Sequence, residues 1–125
     1  MKVKKLAIKN IGIIADTTLE LDQPLILFYG DLMQGKSTLL NAIKYAFGGS
    51  YPSDIIRHGE QEASVAIWFD ECSISRTWYR SKEGHVADRP ISFIRDGLPV
   101  NRPVEQIKRF LNPFLLDNEY ILNRS

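Results

Sequence analysis

The chain has 125 residues, 44% of them hydrophobic and 25% charged, with a formal net charge of +1. That length makes one domain or part of one, and the composition is that of an ordinary folded protein. Near-neutral charge removes any global electrostatic case for a polyanionic partner. A single cysteine, Cys72, excludes an internal disulfide framework and fits a reducing compartment.

The start of the chain, residues 1–14, is basic and then apolar. Lys9 and Asn10 interrupt the apolar run and no small-residue cleavage site follows, so a secretory signal is not expected. No stretch is long enough to span a bilayer, and the expected localisation is cytoplasmic, without a membrane partner. Residues 3–8 alternate with lysines and predict a half-exposed strand. Gly12 marks a turn, and residues 17–21 alternate again with Leu19 and Leu21 on one face, which predicts an antiparallel pair. Pro24 then opens Leu25-Ile26-Leu27-Phe28-Tyr29, a continuous apolar run that predicts a strand buried on both faces.

After the glycine-containing segment 30–37, Leu39, Leu40, Ile43, Ala46 and Phe47 recur at helical spacing, and Gly48-Gly49 stops that helix. Residues 50–62 form a polar loop holding Arg57 and His58. Two strands, 63–69 and 72–79, are separated by Asp70-Glu71, a hairpin pattern. Residues 81–89 read as a charged loop, and Asp96-Gly97 predicts a tight hairpin between 91–94 and 98–100. Pro103 suits the first turn of a last helix, 103–112, with Val104, Ile107, Phe110 and Leu111 on its buried side. Residues 119–122 are strand-like, and the chain stops at Ser125 without a closing turn. The expectation is a partial α/β lobe, with strand and helix at 24–48 beside an antiparallel β region at 63–101.

The segment Gly30-Asp31-Leu32-Met33-Gln34-Gly35-Lys36-Ser37 matches the pattern G-x4-G-K-[ST]. Glycines let such a loop curl so that successive N–H groups point at phosphate oxygens. The helix beginning near Gly35 adds the partial positive charge of its N-terminus. Lys36 is then the residue that reaches the β- and γ-phosphates, the Ser37 hydroxyl the magnesium ligand, and Thr38 a neighbour of the α-phosphate. The expected ligand is ATP with magnesium. Asp31 is an anion in this loop and Leu32 and Met33 are bulky, so their side chains point outward or affinity falls.

The order of elements around Leu-Phe-Tyr-Gly-x4-Gly-Lys-Ser-Thr-Leu-Leu-x-Ala-Ile resembles the N-terminal lobe of an ABC-type ATPase head of the SMC, SbcC and RecF-like group, within the P-loop NTPases. The opening Leu6-Ala7-Ile8-Lys9-Asn10-Ile11, the helix start Thr38-Leu39-Leu40-Asn41-Ala42-Ile43 and the strand residues Ile74-Ser75-Arg76 are similar to that group. The resemblance implies an antiparallel β subdomain beside the P-loop strand and helix, ATP and magnesium as cofactors, and a role in DNA repair or chromosome maintenance. It implies as partners a C-terminal ATPase lobe, a second head in an ATP-dependent dimer, DNA and a nuclease subunit, with a nucleoid or nuclear location. A glutamine that senses the γ-phosphate is expected late in this lobe, where the chain has Asn123. The group's S-G-G signature is absent, since Gly48-Gly49-Ser50 has the wrong order. The lobe alone is therefore expected to hydrolyse nucleotide scarcely at all.

One segment offers an alternative. Residues 65–71, Val-Ala-Ile-Trp-Phe-Asp-Glu, read like a Walker B strand in which Asp70 holds magnesium through water and Glu71 polarises the attacking water. The chain would then be a self-contained small ATPase, or a small-molecule kinase. The immediate resumption of a strand at Ser73 favours a hairpin turn instead. No Asp-x-x-Gly or Asn-Lys-x-Asp supports a GTPase. Lysines 2, 4, 5 and 9, with Arg76, Arg80 and Lys82, are candidates for DNA phosphates or for plain solvated strand faces.

Overall fold

The computed structural model describes residues 2–34 and 37–111. Its strands join one antiparallel sheet. Strand β1 (Lys2–Ile11) turns at Gly12 into β2 (Ile14–Pro24), and helices α1 (Leu25–Met33) and α2 (Ser37–Ala46) follow. Then come β3 (Glu62–Phe69), β4 (Cys72–Arg80), β5 (Val86–Asp88), β6 (Ser92–Arg95), β7 (Leu98–Pro99) and α3 (Pro103–Leu111). The strand order is β2-β1-β3-β4-β6-β7, with β5 pairing β4 beside that path.

Alternation decides the faces of this sheet. In β3, Ala63, Val65, Ile67 and Phe69 are buried, and in β4 Cys72, Ile74, Arg76 and Trp78. A register shift between Val3 and Lys5 lets Val3, Leu6 and Ile8 share that inner face. The apolar stripe of α2, with Ala42, Ile43, Ala46 and Phe47 buried, packs on β3 and β4 in the same core as α1 and Ile107 of α3. The expected hairpins are present: Asp70 and Glu71 connect β3 to β4, and Asp96 and Gly97, at φ 52° and 80°, connect β6 to β7. Two positive φ values in a two-residue loop are what a right-twisted hairpin requires.

Three expectations need correction. The apolar run 25–29 is not a strand but the first part of α1, with Leu25, Phe28 and Leu32 turned to the core and Leu27 59% exposed. A strand buried on both faces needs hydrogen-bonding neighbours on its flanks. Among the described residues no strand runs parallel to this segment, so its amides are satisfied within a helix. The segment 81–89 is not all loop, because β5 pairs with the end of β4. Val104, expected on the buried side of α3, is 38% exposed, while Ile107 carries that contact. The side chains of Phe110 and Leu111, and the strand-like segment 119–122, lie outside the described part.

The end of α2 is fixed twice. Gly48, at φ 99°, donates its N–H to the Tyr45 carbonyl, and Gly49 donates to the Lys44 carbonyl, the paired bonds of a Schellman cap. A Cβ on Gly49 would meet the Lys44 carbonyl oxygen at 2.8 Å, so only glycine fits there. Arg76 then reaches from the sheet: its Nη1 donates to the carbonyls of Tyr45 (2.9 Å) and Gly49 (3.0 Å), and its Nη2 to Asp88 Oδ2 (3.0 Å). The guanidinium lies over the rings of Tyr51 and Trp78, at 4.9 and 5.2 Å. The sheet thus holds the far end of the helix whose near end carries Ser37 and Thr38.

Candidate nucleotide site

The phosphate motif is split between two helices. Residues 30–33 form the last turn of α1, and Gln34, in the cap position, donates its N–H to the Asp31 carbonyl. Ser37 opens α2. Gly35, Lys36 and Asn123 lie outside the described residues, and Met33 and Ser37 are placed by their backbone only. Leu32 is buried in the core, whereas Asp31 is exposed and its Oδ2 accepts a 2.9 Å hydrogen bond from Gln23 Nε2. The anionic side chain is thus tied outward to β2.

Beside the start of α2 lies a cavity of about 190 Å³, lined by Ile11, Gly12, Thr38, Asn41, Tyr45, Pro52, Asp54 and Ile55. Ile11, Pro52 and Ile55 supply apolar surface, and Thr38, Asn41 and Asp54 supply polar groups. Burial, and then the nearby Asp54 carboxylate, push the Tyr45 phenol above its ordinary range. Sequence reading set Thr38 beside the α-phosphate and read Gly12 as a turn; the structure puts both on the lining of this cavity with Asn41, Asp54 and Ile55, which come together only through the fold.

The wall opposite α2 is stapled. Gly12 donates its N–H to the Ile55 carbonyl at 3.1 Å, and Arg57 donates its N–H to the Asn10 carbonyl at 2.8 Å. An isolated antiparallel bridge joins Ile11 to Ile56. Both Asn10 and Gly12 sit at positive φ, 56° and 55°, so the β1–β2 turn is a left-handed kink held against the loop 52–57. Arg57 Nη1 adds a 2.9 Å hydrogen bond to the Ile13 carbonyl. His58 is exposed beside it.

The residues offered for a Walker B role stand elsewhere. Asp70 and Glu71 follow Phe69, whose partner in β1 is Val3, while the cavity is built on Ile11. At a rise of about 3.3 Å per residue, eight residues of β1 put the two roughly 26 Å apart. Several basic residues are also accounted for structurally. Lys2 and Lys4 pair with Asp22 at 3.7 and 2.7 Å, and Lys5 lies 5.0 Å from the centre of the Trp68 ring. Arg76 is buried, and Arg80 Nε donates to the Glu60 carbonyl at 2.9 Å. Arg76 and Arg80 are therefore structural rather than exposed contacts for a phosphate backbone. Cys72 is buried, and burial with the nearby Glu71 pushes its thiol up to about 12, which leaves it protonated and inert.

The geometry fits a nucleotide in part. The N-terminus of α2, Thr38 and the adjoining cavity suit a phosphate chain with a planar ring beside it. The turn 30–33 does not present its N–H groups in this arrangement, because a helix already uses them. That turn has to open before it can cradle phosphates. Gly30 sits inside α1 with open space where a Cβ would be. Gly30→Ala should accordingly raise stability by about 0.5–1 kcal/mol while weakening nucleotide binding. Urea denaturation beside an ATP titration checks both signs.

The AAA domain family AAA_23 matches residues 5–110. The DNA repair protein RecN of Bacillus subtilis (strain 168) is 34% identical over 61 residues, which are 49% of this chain and 11% of that protein. RecN of Deinococcus radiodurans is 34% identical over 70 residues, 55% of this chain and 12% of its own length. The chain thus spans about a tenth of these relatives. A solved structure described as "Structural biochemistry of ATP-driven dimerization and DNA stimulated activation of SMC ATPases" superposes with a TM-score of 0.57 at 21% identity, covering 90% of this chain and 78% of that one. Among the described residues no helix is long and apolar enough to cross a membrane. The chain belongs to the AAA domain family, and its fold is like that of the SMC ATPase structure.

Proposed function

We propose that this lobe binds ATP with magnesium and works as half of a head that acts on DNA in repair or chromosome maintenance. The observation that carries the reading is the G-x4-G-K-S motif running into α2, whose Thr38 lines the cavity of about 190 Å³. Lys36 and backbone N–H groups of the opened loop hold the β- and γ-phosphates, and Ser37 holds magnesium. The apolar part of the cavity lining, Ile11, Pro52 and Ile55, would take the base. Magnesium supplies charge neutralisation on the phosphates when bound.

The hydrolytic groups come from outside this lobe: a C-terminal lobe, and a second head that closes on the nucleotide. The distance of Asp70 and Glu71 from the cavity supports that division, as does their place in a hairpin connection. DNA and head dimerisation are carried over from the named relatives and belong to the whole assembly; a nuclease subunit, and Asn123 as γ-phosphate sensor, are proposed from the sequence resemblance alone.

The test is ATP binding and turnover by the 125-residue chain with magnesium, with and without DNA, wild type beside Glu71→Gln. Weak binding without turnover in either form is expected. Robust turnover that disappears in Glu71→Gln would overturn the half-site reading and make this a complete small ATPase.

A further inference from the structure

We infer that the open edge of the sheet, along β2, takes a strand from another protein: an extended segment in which basic and apolar residues alternate. Strand β2 (Ile14–Pro24) runs 11 residues and stands at the end of the strand order, paired to β1 alone among the described residues. Every second residue of an edge strand directs its N–H and C=O away from the sheet, where a further strand satisfies them as well as water does. The opposite edge is short, since β7 is Leu98–Pro99 and ends on a proline, and β5 is Val86–Asp88. By contrast, β2 has no proline before its last residue and no lysine or arginine, and its register with β1 is unbroken from Ile14 to Glu20. Of the usual devices that blunt an edge, only negative charge is present.

That charge decides what the edge refuses and what it takes. Asp16, Glu20 and Asp22 are exposed on one face of β2 with Thr18 among them, while Thr17, Leu19 and Leu21 are half-buried on the other. Asp22 is held by Lys2 and Lys4. Asp16 and Glu20 have no ion-pair partner among the described residues, and Lys5, opposite Glu20, lies over the Trp68 ring. Two copies of β2 meeting about a two-fold axis normal to the sheet would oppose like to like. The three longest registers, centred on Thr18, Leu19 and Glu20, set Asp16 against Glu20, Asp16 against Asp22, and Glu20 against itself. Like charges directly opposite each other destabilise a strand pair, so a second copy is disfavoured.

A segment with lysine or arginine opposite Asp16 and Glu20, and apolar side chains beside Leu19 and Leu21, meets every condition of the edge. It supplies main-chain bonds, opposite charges and cover for the half-buried leucines. The strand already on the other side of β2 has this pattern. In β1, Lys5 and Lys9 stand opposite Glu20 and Asp16, and Leu6 stands opposite Leu19.

The probe is a capped nine-residue peptide of alternating lysine and valine, titrated into the full 125-residue chain in low-salt buffer and followed by NMR. Shifts and slowed exchange are expected at alternate amides from Ile14 to Glu20. A peptide of the same composition with its lysines grouped at one end should bind at least about tenfold more weakly, as should one N-methylated at every second residue. Asp16→Asn with Glu20→Gln keeps the shape of the edge and should weaken the alternating peptide about tenfold, the order that two exposed ion pairs supply, with amide dispersion unchanged. Asp16→Lys with Glu20→Lys should transfer binding to a peptide of alternating glutamate and valine. Should that reversal unfold the chain, the neutral pair and the methylated peptide still decide. Equal affinity for the grouped or methylated peptide, shifts outside β2, or no binding of the alternating peptide would overturn the inference. So would concentration-dependent shifts of β2 without peptide, which name a second copy, or Overhauser contacts from β2 to residues 119–122, which name this chain's own end. ATP has no part in the titration, so its outcome is independent of the nucleotide reading.

Discussion

Lys36→Ala is expected to abolish measurable ATP binding while leaving the fold intact. A lysine at this point of the motif meets two phosphate groups at once, so its loss removes charge-assisted hydrogen bonds and most of the local positive charge. Such bonds are worth about 1.5–3 kcal/mol each, so affinity should fall at least about a hundredfold. The backbone N–H groups at the start of α2 remain, and they alone offer only partial charge. The check is an ATP titration paired with a thermal melt. An unchanged melt with lost binding supports the assignment, and unchanged affinity would remove Lys36 from the site.

Arg76→Ala should be strongly destabilising, costing about 2–4 kcal/mol, chiefly from the two carbonyls left without a donor. The side chain is 8% exposed, and its removal leaves two carbonyls at the end of α2 without their donor beside Tyr51 and Trp78, while the Asp88 carboxylate, 39% exposed, is left to water. Arg76→Met, which refills the volume, should recover part of the loss, and Arg76→Met with Asp88→Asn more of it. Urea denaturation at neutral pH gives the order.

The same contact carries a pH signature. The hydrogen bond from Arg76, followed by that from Tyr51, holds the Asp88 carboxyl below the ordinary carboxylate range. A depressed value in the folded state stabilises above the unfolded value and is lost as pH falls through the folded one. Wild type should therefore lose stability on acidification below about pH 4 more steeply than Arg76→Ala does.

Much of this lobe can be read from residue order, and the exceptions have physical causes. Strands β3 and β4 alternate cleanly because one face is buried, and α2 repeats at helical spacing between a motif and a glycine pair. The run 25–29 misleads because five apolar residues in a row carry no period, so they do not distinguish a strand from a buried helix. A neighbour in the sheet decides between them, and neighbours are not written locally. Arg76 misleads differently: a basic residue in a strand looks solvated until Tyr51, Asp88 and the end of α2 are seen to surround it. The G-x4-G-K-S motif is legible because its pattern is local. The cavity is not, since Gly12, Asn41 and Asp54 meet only after β1, α2 and the following loop have packed.

The strand order also dictates when the protein can become itself. From β3 to β7 the main path pairs strands in the order they are written, so that meander closes short loops only. The β1–β2 hairpin is equally local. Joining the two halves requires β1 to find β3, with Ile8 meeting Val65 across more than fifty residues. During synthesis the amino-terminal hairpin therefore leaves the ribosome with its inner face, Leu6 and Ile8, uncovered until β3 has emerged. A nascent chain stalled before residue 62 would hold the whole phosphate motif and still lack the central sheet on which α2 comes to rest.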